Sequence, residues 1–259
     1  MTRMILLGVC AGWQKAAEIK EAGFDYIELS LSELASFSEE EYRKVKEALD
    51  KSGLPVYAAN SMLPGRYCLY TEEGAIGALE FLETAYRRAH ELGIKRIVFG
   101  SGAARMRPET VPEDEAYACL AAFLKQASQI AKKNDLLIAV EPLRREECNI
   151  INTVADGRRL AALADCENVR VLADLYHMAA GKEDLDTLLV PPTVIHTHIA
   201  ESEKRSFPRE GDGCDTLYES FFRNLKKAGY EGGVSVEGQS QDFEADIKAA
   251  FEILDKLRN

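Results

Sequence analysis

The sequence lacks the features of membrane and secreted proteins. No apolar run approaches the roughly 18 residues that a membrane span needs, and residues 5–10, the longest such run near the start, have the length of a strand. Residues 1–4 carry no apolar segment of the signal-peptide kind, so we expect a cytoplasmic protein without a membrane partner. The six cysteines are scattered without a C-x-x-C pair, which predicts reduced thiols and excludes a zinc ribbon.

Positive charge is also scarce. Lysine and arginine number 32 against 43 aspartates and glutamates, which gives a net charge of −11. No stretch of the chain concentrates the basic residues. Because such a surface repels phosphate backbones, we expect no nucleic-acid partner.

The chain does contain a regular alternation of β-branched runs and helical patterns. Eight strands, each followed by a helix at about 32 residues per pair, have the spacing of a (β/α)8 barrel. A doubly wound sheet is disfavoured because no G-x-G-x-x-G turn follows the first strand. Without a linker or a change of composition, the prediction is a single-domain α/β TIM barrel over residues 1–259. The predicted strands are 5–10, 25–29, 55–60, 95–99, 136–140, 169–173, 194–199 and 234–236. The predicted helices are 14–22, 73–92, 112–133, 153–164, 184–189, 217–228 and 243–257, besides one that a capping box opens at Ser38.

Four ionisable side chains stand at the ends of consecutive predicted strands. Glu141 follows strand five, Asp174 follows strand six, His198 lies on strand seven, and Glu237 follows strand eight. Because the catalytic face of a barrel is formed by the carboxyl ends of its strands, we expect these side chains to converge at one mouth. Each of them taken singly is equally explained as a solvated loop-end charge or a helix cap.

A cation would explain this convergence, because three carboxylates beside an imidazole otherwise repel one another. Oxygen ligands with a single nitrogen suit one divalent metal ion. The preferred ion is Mn²⁺, while Mg²⁺, Co²⁺ and Zn²⁺ remain open.

The segments around these four residues resemble a known family. Residues 139–143, 173–178, 196–201 and 235–238 are similar to motifs of the xylose-isomerase-like barrel superfamily. Within it, they resemble the sugar phosphate isomerase/epimerase branch, whose ketose 3-epimerases of the tagatose/psicose type are the best-understood relatives. The resemblance spans essentially the whole chain and does not specify a substrate.

The resemblance implies roles for individual residues. Glu141, Asp174, His198 and Glu237 match the metal ligands, and Glu141 and Glu237 also match the acid/base pair on opposite faces of the sugar. His177 matches a residue that contacts a substrate oxygen near the metal. Glu147 matches a glutamate that contacts the substrate or supports the ligands.

The sequence departs from the family pattern at the substrate-binding arginine, whose position is occupied by Lys204, with Arg205 next to it. Either side chain could take this role, although only arginine binds oxygens bidentately. Arg105, after strand four, is equally explained as an anion-binding residue for the substrate or as a solvated loop arginine. The remaining candidates for the pocket wall are Trp13, Glu28 and Asn60, of which Trp13 could stack on a sugar face. His196 shares the inward face of His198 and is equally explained as a residue that supports the metal ligands or as a core histidine.

The implied activity is proton transfer next to a carbonyl. A divalent ion would stabilise the enediolate, while one glutamate removes the proton and the other returns it. This predicts a metal-dependent isomerase or epimerase of a sugar, a sugar phosphate or a related keto-polyol, and a homo-oligomer is possible. The alternatives are a dehydratase of a keto-polyol or sugar acid and a non-catalytic sugar-binding barrel. An apurinic endonuclease of the same superfamily is disfavoured, because the chain has only four histidines and a net charge of −11.

Overall fold

Eight parallel strands form a closed barrel in chain order, and the first strand also pairs with the last. The structure is a computed structural model that describes residues 5–259. The expectation about a signal peptide concerns residues 1–4, which lie outside this range. The predicted (β/α)8 barrel is confirmed. Its strands are β1 (Leu6–Cys10), β2 (Tyr26–Ser30), β3 (Val56–Asn60), β4 (Arg96–Phe99), β5 (Leu137–Val140), β6 (Val169–Asp174), β7 (His196–Ile199) and β8 (Gly233–Val236).

Helices surround the barrel. They are α1 (Ala16–Glu21), α2 (Leu31–Ser36), α3 (Glu39–Ser52), α4 (Glu72–Glu91), α5 (Gly102–Arg105), α6 (Glu113–Lys133), α7 (Val154–Ala164), α8 (Leu175–Ala180), α9 (Asp215–Lys227) and α10 (Phe243–Arg258). Within residues 5–259, none of the helices has both the length and the apolar character that a bilayer crossing requires.

The capping box predicted at Ser38 is present at the start of α3. The Ser38 hydroxyl accepts a hydrogen bond from the Glu41 backbone N–H at 3.3 Å, and the Glu41 carboxylate accepts one from the Ser38 N–H at 2.8 Å. Two backbone donors that lack partners within the helix are thereby satisfied, which explains why the helix begins here. It ends at Gly53, whose backbone is left-handed with a φ of 63°.

Three short helices were not expected from the sequence. The helices α2, α5 and α8 have six, four and six residues. A segment of this length is too short to show a repeating apolar pattern, so periodicity does not reveal it. The predicted helix at 184–189 is instead a 3-10 helix, Leu185–Leu189, and a second 3-10 helix, Trp13–Lys15, precedes α1.

Side chains alternate between the two surfaces of the barrel wall. On β4, Ile97 and Phe99 belong to the large apolar core between strands and helices, whereas Val98 belongs to a separate small cluster with Ala139 and Leu172. Because neighbouring residues of a strand point to opposite faces, this small cluster lies in the barrel interior. The next inward positions, two residues further along β5 and β6, are Glu141 and Asp174. The same alternation that packs the barrel thus presents these carboxylates at its mouth.

Candidate active site

The structure brings together the four residues that the sequence placed at the strand ends. One ligand atom from each of Glu141, Asp174, His198 and Glu237 lies within 4.8 Å of all the others. Glu141, Asp174 and His198 are buried, while the side chain of Glu237 is 20% exposed. The cluster therefore opens to solvent on the side of Glu237.

Glu141 is positioned by backbone contacts and close packing. Its backbone N–H donates to the Phe99 carbonyl at 3.2 Å. A Cβ atom at Gly100 would lie 2.2 Å from Glu141 Oε2, so only glycine leaves room for the carboxylate there. Arg105 completes the support, since its guanidinium donates to the Phe99 carbonyl at 2.9 Å and to the Glu141 carbonyl at 2.6 Å.

This placement corrects the interpretations of Arg105. The side chain is fully buried, so it is not a solvated loop arginine. Two of its guanidinium nitrogens are used by backbone carbonyls, which leaves them unsuited to binding an anionic group of the substrate. The short helix α5 turns Arg105 into the barrel wall, where it holds the end of β5.

Glu237 is held by a side chain at the end of β3 and by one from the loop after β7. Asn60 Nδ2 donates to Glu237 Oε1 at 2.8 Å, and Arg205 Nη2 donates to Glu237 Oε2 at 2.6 Å. Asn60 therefore contacts a residue of the cluster, and its place in the wall of a substrate pocket stays a prediction. Both oxygens of Glu237 have a fixed partner, so its orientation is determined on the open side of the cluster.

Arg205, and not Lys204, is the basic side chain that reaches the cluster. Its backbone is left-handed, with a φ of 53°, and its carbonyl accepts a hydrogen bond from the Gln239 N–H at 2.7 Å. The side chain of Lys204 is exposed and lines a polar cavity between the loops that follow β7 and β8. The guanidinium of Arg205 also lies 3.4 Å from Glu147, which joins it to the loop after β5.

His177 points its Nε2 atom toward the cluster, 3.5 Å from Asp174 Oδ2. Its Nδ1 atom accepts a hydrogen bond from the Arg144 backbone N–H at 3.3 Å. Because a nitrogen that accepts is not protonated, the proton of the neutral ring lies on Nε2. Burial lowers the pKa of His177 despite nearby carboxylates, so the ring is neutral and offers one N–H into the site.

His198 lies between the carboxylate of Glu28 on one side and those of Glu141 and Glu237 on the other. Its Nδ1 atom is 2.9 Å from Glu141 Oε1 and 3.4 Å from Glu237 Oε2, whereas its Nε2 atom is 3.0 Å from Glu28 Oε1. The second Glu28 oxygen is 2.7 Å from His196 Nε2. Glu28 and His196 are fully buried and lie beneath the cluster, so they belong to the barrel interior and not to the pocket wall.

The donor set fits a divalent metal ion. Asp174 Oδ2 is buried and has no hydrogen-bond partner, and the same holds for His177 Nε2 among the residues that the structure describes. Buried polar atoms are normally satisfied, so this pair indicates a missing partner at the centre of the cluster. Glu141, Asp174, His198 and Glu237 would supply oxygen ligands and one nitrogen, a mixture that suits Mn²⁺, Mg²⁺, Co²⁺ or Zn²⁺.

The pKa values within the cluster are displaced in opposite directions. Burial raises the pKa of Glu141 and raises that of Asp174 to about 6. Burial acts in the same direction on Glu237, but His198 and Arg205 outweigh it and lower the pKa to about 2. Strong opposing shifts in a pocket are typical of functional sites, and a cation would favour the charged form of all the carboxylates.

Two residues near the site, Arg144 and Tyr176, were not identified as candidates from the sequence. Arg144 Nε donates to Glu147 Oε1 at 2.8 Å, and Arg144 packs on the Tyr176 ring, as Arg205 also does. Nothing in the sequence distinguishes Arg144 from Arg145 as the residue that turns toward Glu147. Trp13 is half-buried against the apolar core, and its stacking on a sugar stays a prediction.

Comparisons with known proteins agree on the family. The family model described as xylose isomerase-like TIM barrel matches residues 16–257. The 3-dehydro-D-guloside 4-epimerase of Escherichia coli (strain K12) is 31% identical over 235 residues, which cover 87% of this chain and 86% of that protein. A probable ketose 3-epimerase of Synechocystis sp. is 26% identical over 230 residues, covering 85% of this chain and 76% of that protein.

Solved structures give the same result. The apo form of a 3-keto-D-glucoside 4-epimerase from E. coli superposes with a TM-score of 0.79 and 27% identity, covering 98% of this chain and 99% of that one. A D-psicose 3-epimerase solved in the presence of D-fructose has a TM-score of 0.81 at 20% identity, covering 98% of each chain, and shows the shared fold. On these grounds the chain belongs to the xylose isomerase-like TIM barrel family, as an enzyme of its isomerase and epimerase branch.

Proposed function

We propose that this protein is a divalent-metal-dependent sugar epimerase that inverts a carbon atom next to a ketone. The observation that carries the proposal is the arrangement of Glu141 and Glu237, which reach one cluster from different strands together with Asp174 and His198. Binding a metal ion alone does not require two carboxylates with separately fixed orientations. Two such bases are what transfer of a proton from one face of a sugar to the other requires.

Glu141 and Glu237 act as the acid/base pair. One carboxylate removes the proton from the carbon beside the ketone, and the other delivers a proton to the opposite face of the same carbon. A divalent ion, with Mn²⁺ as the proposed cofactor, would be held by Glu141, Asp174, His198 and Glu237 and would supply the positive charge that eases loss of a proton next to the ketone. Return of the proton to the neighbouring carbon would instead give an aldose–ketose isomerisation.

Three further residues orient the sugar. The His177 Nε2–H donor faces the cluster and is suited to a substrate oxygen. Arg205 and Glu147 lie beside Glu237 and contact each other at 3.4 Å, and they would bind hydroxyl groups of the sugar through the N–H groups and carboxylate oxygen that these contacts leave over. Because Arg205 contacts Glu237 directly, the same side chain would orient the base and bind the substrate.

The relatives suggest the substrate class. Two of them are described as 4-epimerases of a 3-dehydro- or 3-keto-sugar glycoside, and others as ketose 3-epimerases. Both descriptions have in common inversion at a carbon adjacent to a ketone. We therefore propose a keto-sugar, either a free ketose or a 3-keto-glycoside, as the substrate.

The test is deuterium uptake from D2O. The Mn²⁺-loaded protein is incubated with D-fructose, D-psicose, D-tagatose and a methyl 3-keto-glucoside, and the recovered sugars are analysed by mass spectrometry. We expect one deuterium at the carbon next to the ketone of one substrate, together with its epimer, and no uptake after treatment with EDTA. A product that has lost water would instead identify a dehydratase and overturn the proposal.

Matched variants separate catalysis from folding. Glu237→Gln keeps the size of the side chain and should abolish uptake. Glu40→Gln, on the exposed surface where Glu40 pairs with Lys44, should leave uptake unchanged. Uptake by Glu237→Gln at the wild-type rate would overturn the acid/base role, and stoichiometric metal without uptake from any sugar would favour a binding barrel.

A further inference from the structure

Glu28 lies beneath the cluster in the barrel interior and makes three hydrogen bonds through its carboxylate. Its oxygens are 3.0 Å from His198 Nε2, 2.7 Å from His196 Nε2 and 2.6 Å from Ser235 Oγ. All four residues are fully buried. A buried carboxylate is either ionised, with partners that stabilise its charge, or neutral. The three donors around Glu28 favour the ionised form.

This network dictates the tautomer of His198. An ionised carboxylate only accepts hydrogen bonds, so the ring nitrogen that faces Glu28 must carry a proton. With Nε2 protonated, the neutral ring has its lone pair on Nδ1. That atom is the one that faces Glu141 and Glu237 in the cluster.

The contacts of Nδ1 support the same conclusion. Nδ1 lies 2.9 Å from Glu141 Oε1, and two lone pairs at this distance repel each other unless a proton or a cation lies between them. Ligand atoms bound to one metal ion at about 2.1 Å stand about 3 Å apart when they are neighbours in its coordination shell. The spacing of these two atoms is therefore that of adjacent ligands.

A second histidine, His196, also contacts Glu28. His196 donates its Nε2–H to Glu28, and its Nδ1 atom is buried without a hydrogen-bond partner within residues 5–259. Because Nε2 faces the carboxylate of Glu28, the single proton of the neutral ring lies on Nε2, and Nδ1 is the acceptor. Both imidazoles thus have the same tautomer, set by one carboxylate.

We propose that Glu28 is a positioning residue that holds His198 with its Nδ1 lone pair directed at the metal ion. Ser235 of β8 fixes Glu28 in turn, and the Tyr26 hydroxyl lies 2.7 Å from Ser235 Oγ, so that Ser235 contacts two residues of β2. The inference rests on the metal centre of the proposed function and does not depend on which sugar is the substrate. Partners of this kind, behind a ligating histidine, typically change metal affinity 10- to 100-fold when they are removed.

The first test is calorimetric titration of Mn²⁺ into metal-free protein. Glu28→Gln replaces one acceptor oxygen by an amide N–H2 group, which favours the opposite tautomer of the facing histidine. We expect its Mn²⁺ affinity to fall by about 10- to 100-fold. Ser235→Ala is the matched control. It removes one hydrogen bond to Glu28 in the same buried network but leaves the contact between Glu28 and His198 in place. It should lower the Mn²⁺ affinity less than about threefold.

The outcomes are distinguishable. Equal Mn²⁺ affinity of wild type and Glu28→Gln would overturn the role of Glu28 and leave the metal centre intact. Equal losses in Glu28→Gln and Ser235→Ala would reduce Glu28 to a packing role and overturn the inference as well. A wild-type protein that takes up no divalent ion would overturn the metal centre and this inference together.

A second measurement needs no variant. Long-range 1H–15N spectra of the Zn²⁺-loaded wild-type protein with labelled histidine, of which the chain has four, report which nitrogen of each ring is protonated. We expect protonated Nε2 and metal-bound Nδ1 for His198, and protonated Nε2 for His196. A protonated Nδ1 on His198 would overturn the inference even if Glu28→Gln failed to fold.

Discussion

The two halves of the barrel interior support the cluster in different ways. Below Glu141 and Asp174, on the side of β4 to β6, the interior is filled by Val98, Ala139 and Leu172. Below His198 and Glu237, on the side of β2, β7 and β8, it is filled by a hydrogen-bonded network. That network consists of Tyr26, Glu28, His196 and Ser235.

The difference shows two means of fixing a functional side chain. On the apolar half, Glu141 is oriented by the close approach of Gly100 and by Arg105, which binds its backbone carbonyl. On the polar half, His198 is oriented by the hydrogen bond that it donates to Glu28, and Glu237 by the one that it accepts from Asn60. Packing fixes the position of a side chain through its shape, whereas a hydrogen-bonded network also specifies which nitrogen or oxygen faces the site.

The largest effect is expected at the two glutamates themselves. Glu141→Gln and Glu237→Gln should each lower kcat by about 10²- to 10⁴-fold, because each removes one proton-transfer group. The two losses should be similar although the residues stand on different halves of the interior. Steady-state rates on the substrate found by deuterium uptake provide the test, and a loss confined to one variant would contradict the two-base mechanism.

The next effect concerns the apolar half. Leu172→Ala should lower the free energy of unfolding by about 3 kcal/mol, because it leaves a cavity under the cluster. Mn²⁺ affinity of the folded protein should change little, since the Leu172 side chain is apolar and is not one of the candidate ligands. Urea unfolding and calorimetry measure the two quantities, and a large loss of affinity with unchanged stability would remove the distinction between the halves.

A smaller effect is expected for the support of Glu237. Asn60→Ala removes the donor to Glu237 Oε1 and should lower kcat about tenfold, which corresponds to about 1.4 kcal/mol. Because Asn60 is only partly buried, the free energy of unfolding should change by less than about 1 kcal/mol. An unchanged kcat would show that Arg205 alone orients this carboxylate.

The smallest effect, on the pH dependence of stability, is expected at Glu183, outside both halves of the barrel interior. Burial raises the pKa of Glu183 from 4.5 to about 7, although the Val154 N–H donates to its carboxylate and partly offsets this. The folded state thus binds the proton more tightly, so the stability contributed by neutral Glu183 is present below pH 4.5 and is lost as the pH rises through 7. Since the side chain is partly exposed, the change is at most about 1 kcal/mol.

Glu183→Gln tests this directly. The variant cannot ionise and keeps an oxygen that accepts from Val154, so its stability relative to the wild type should increase between pH 4.5 and pH 7. Thermal unfolding of both proteins at several pH values measures the difference. A difference independent of pH would show that Glu183 titrates near its ordinary value in the folded protein.

Much of the arrangement follows from the sequence. Eight alternating patterns predict the barrel, and the period of two residues along each strand predicts which side chains face inward. Together these place Glu141, Asp174, His198 and Glu237 at one mouth, and the structure brings all four within 4.8 Å. The helices α2, α5 and α8 escape prediction because they are too short for a period to be recognised.

The tertiary structure alone decided the partners of these residues. Glu28 and His198 are 170 positions apart and lie on strands that are not neighbours in the sheet, so they meet only across the closed interior. Arg105 and Arg205 both follow a strand of the barrel, yet a four-residue helix buries one in the wall and a left-handed turn directs the other to Glu237. The position of a residue along a strand determines which face of the barrel its side chain points to, because this direction depends on the backbone geometry of that strand alone. What the side chain meets depends on the closure of the barrel and the paths of its loops, which no local pattern contains.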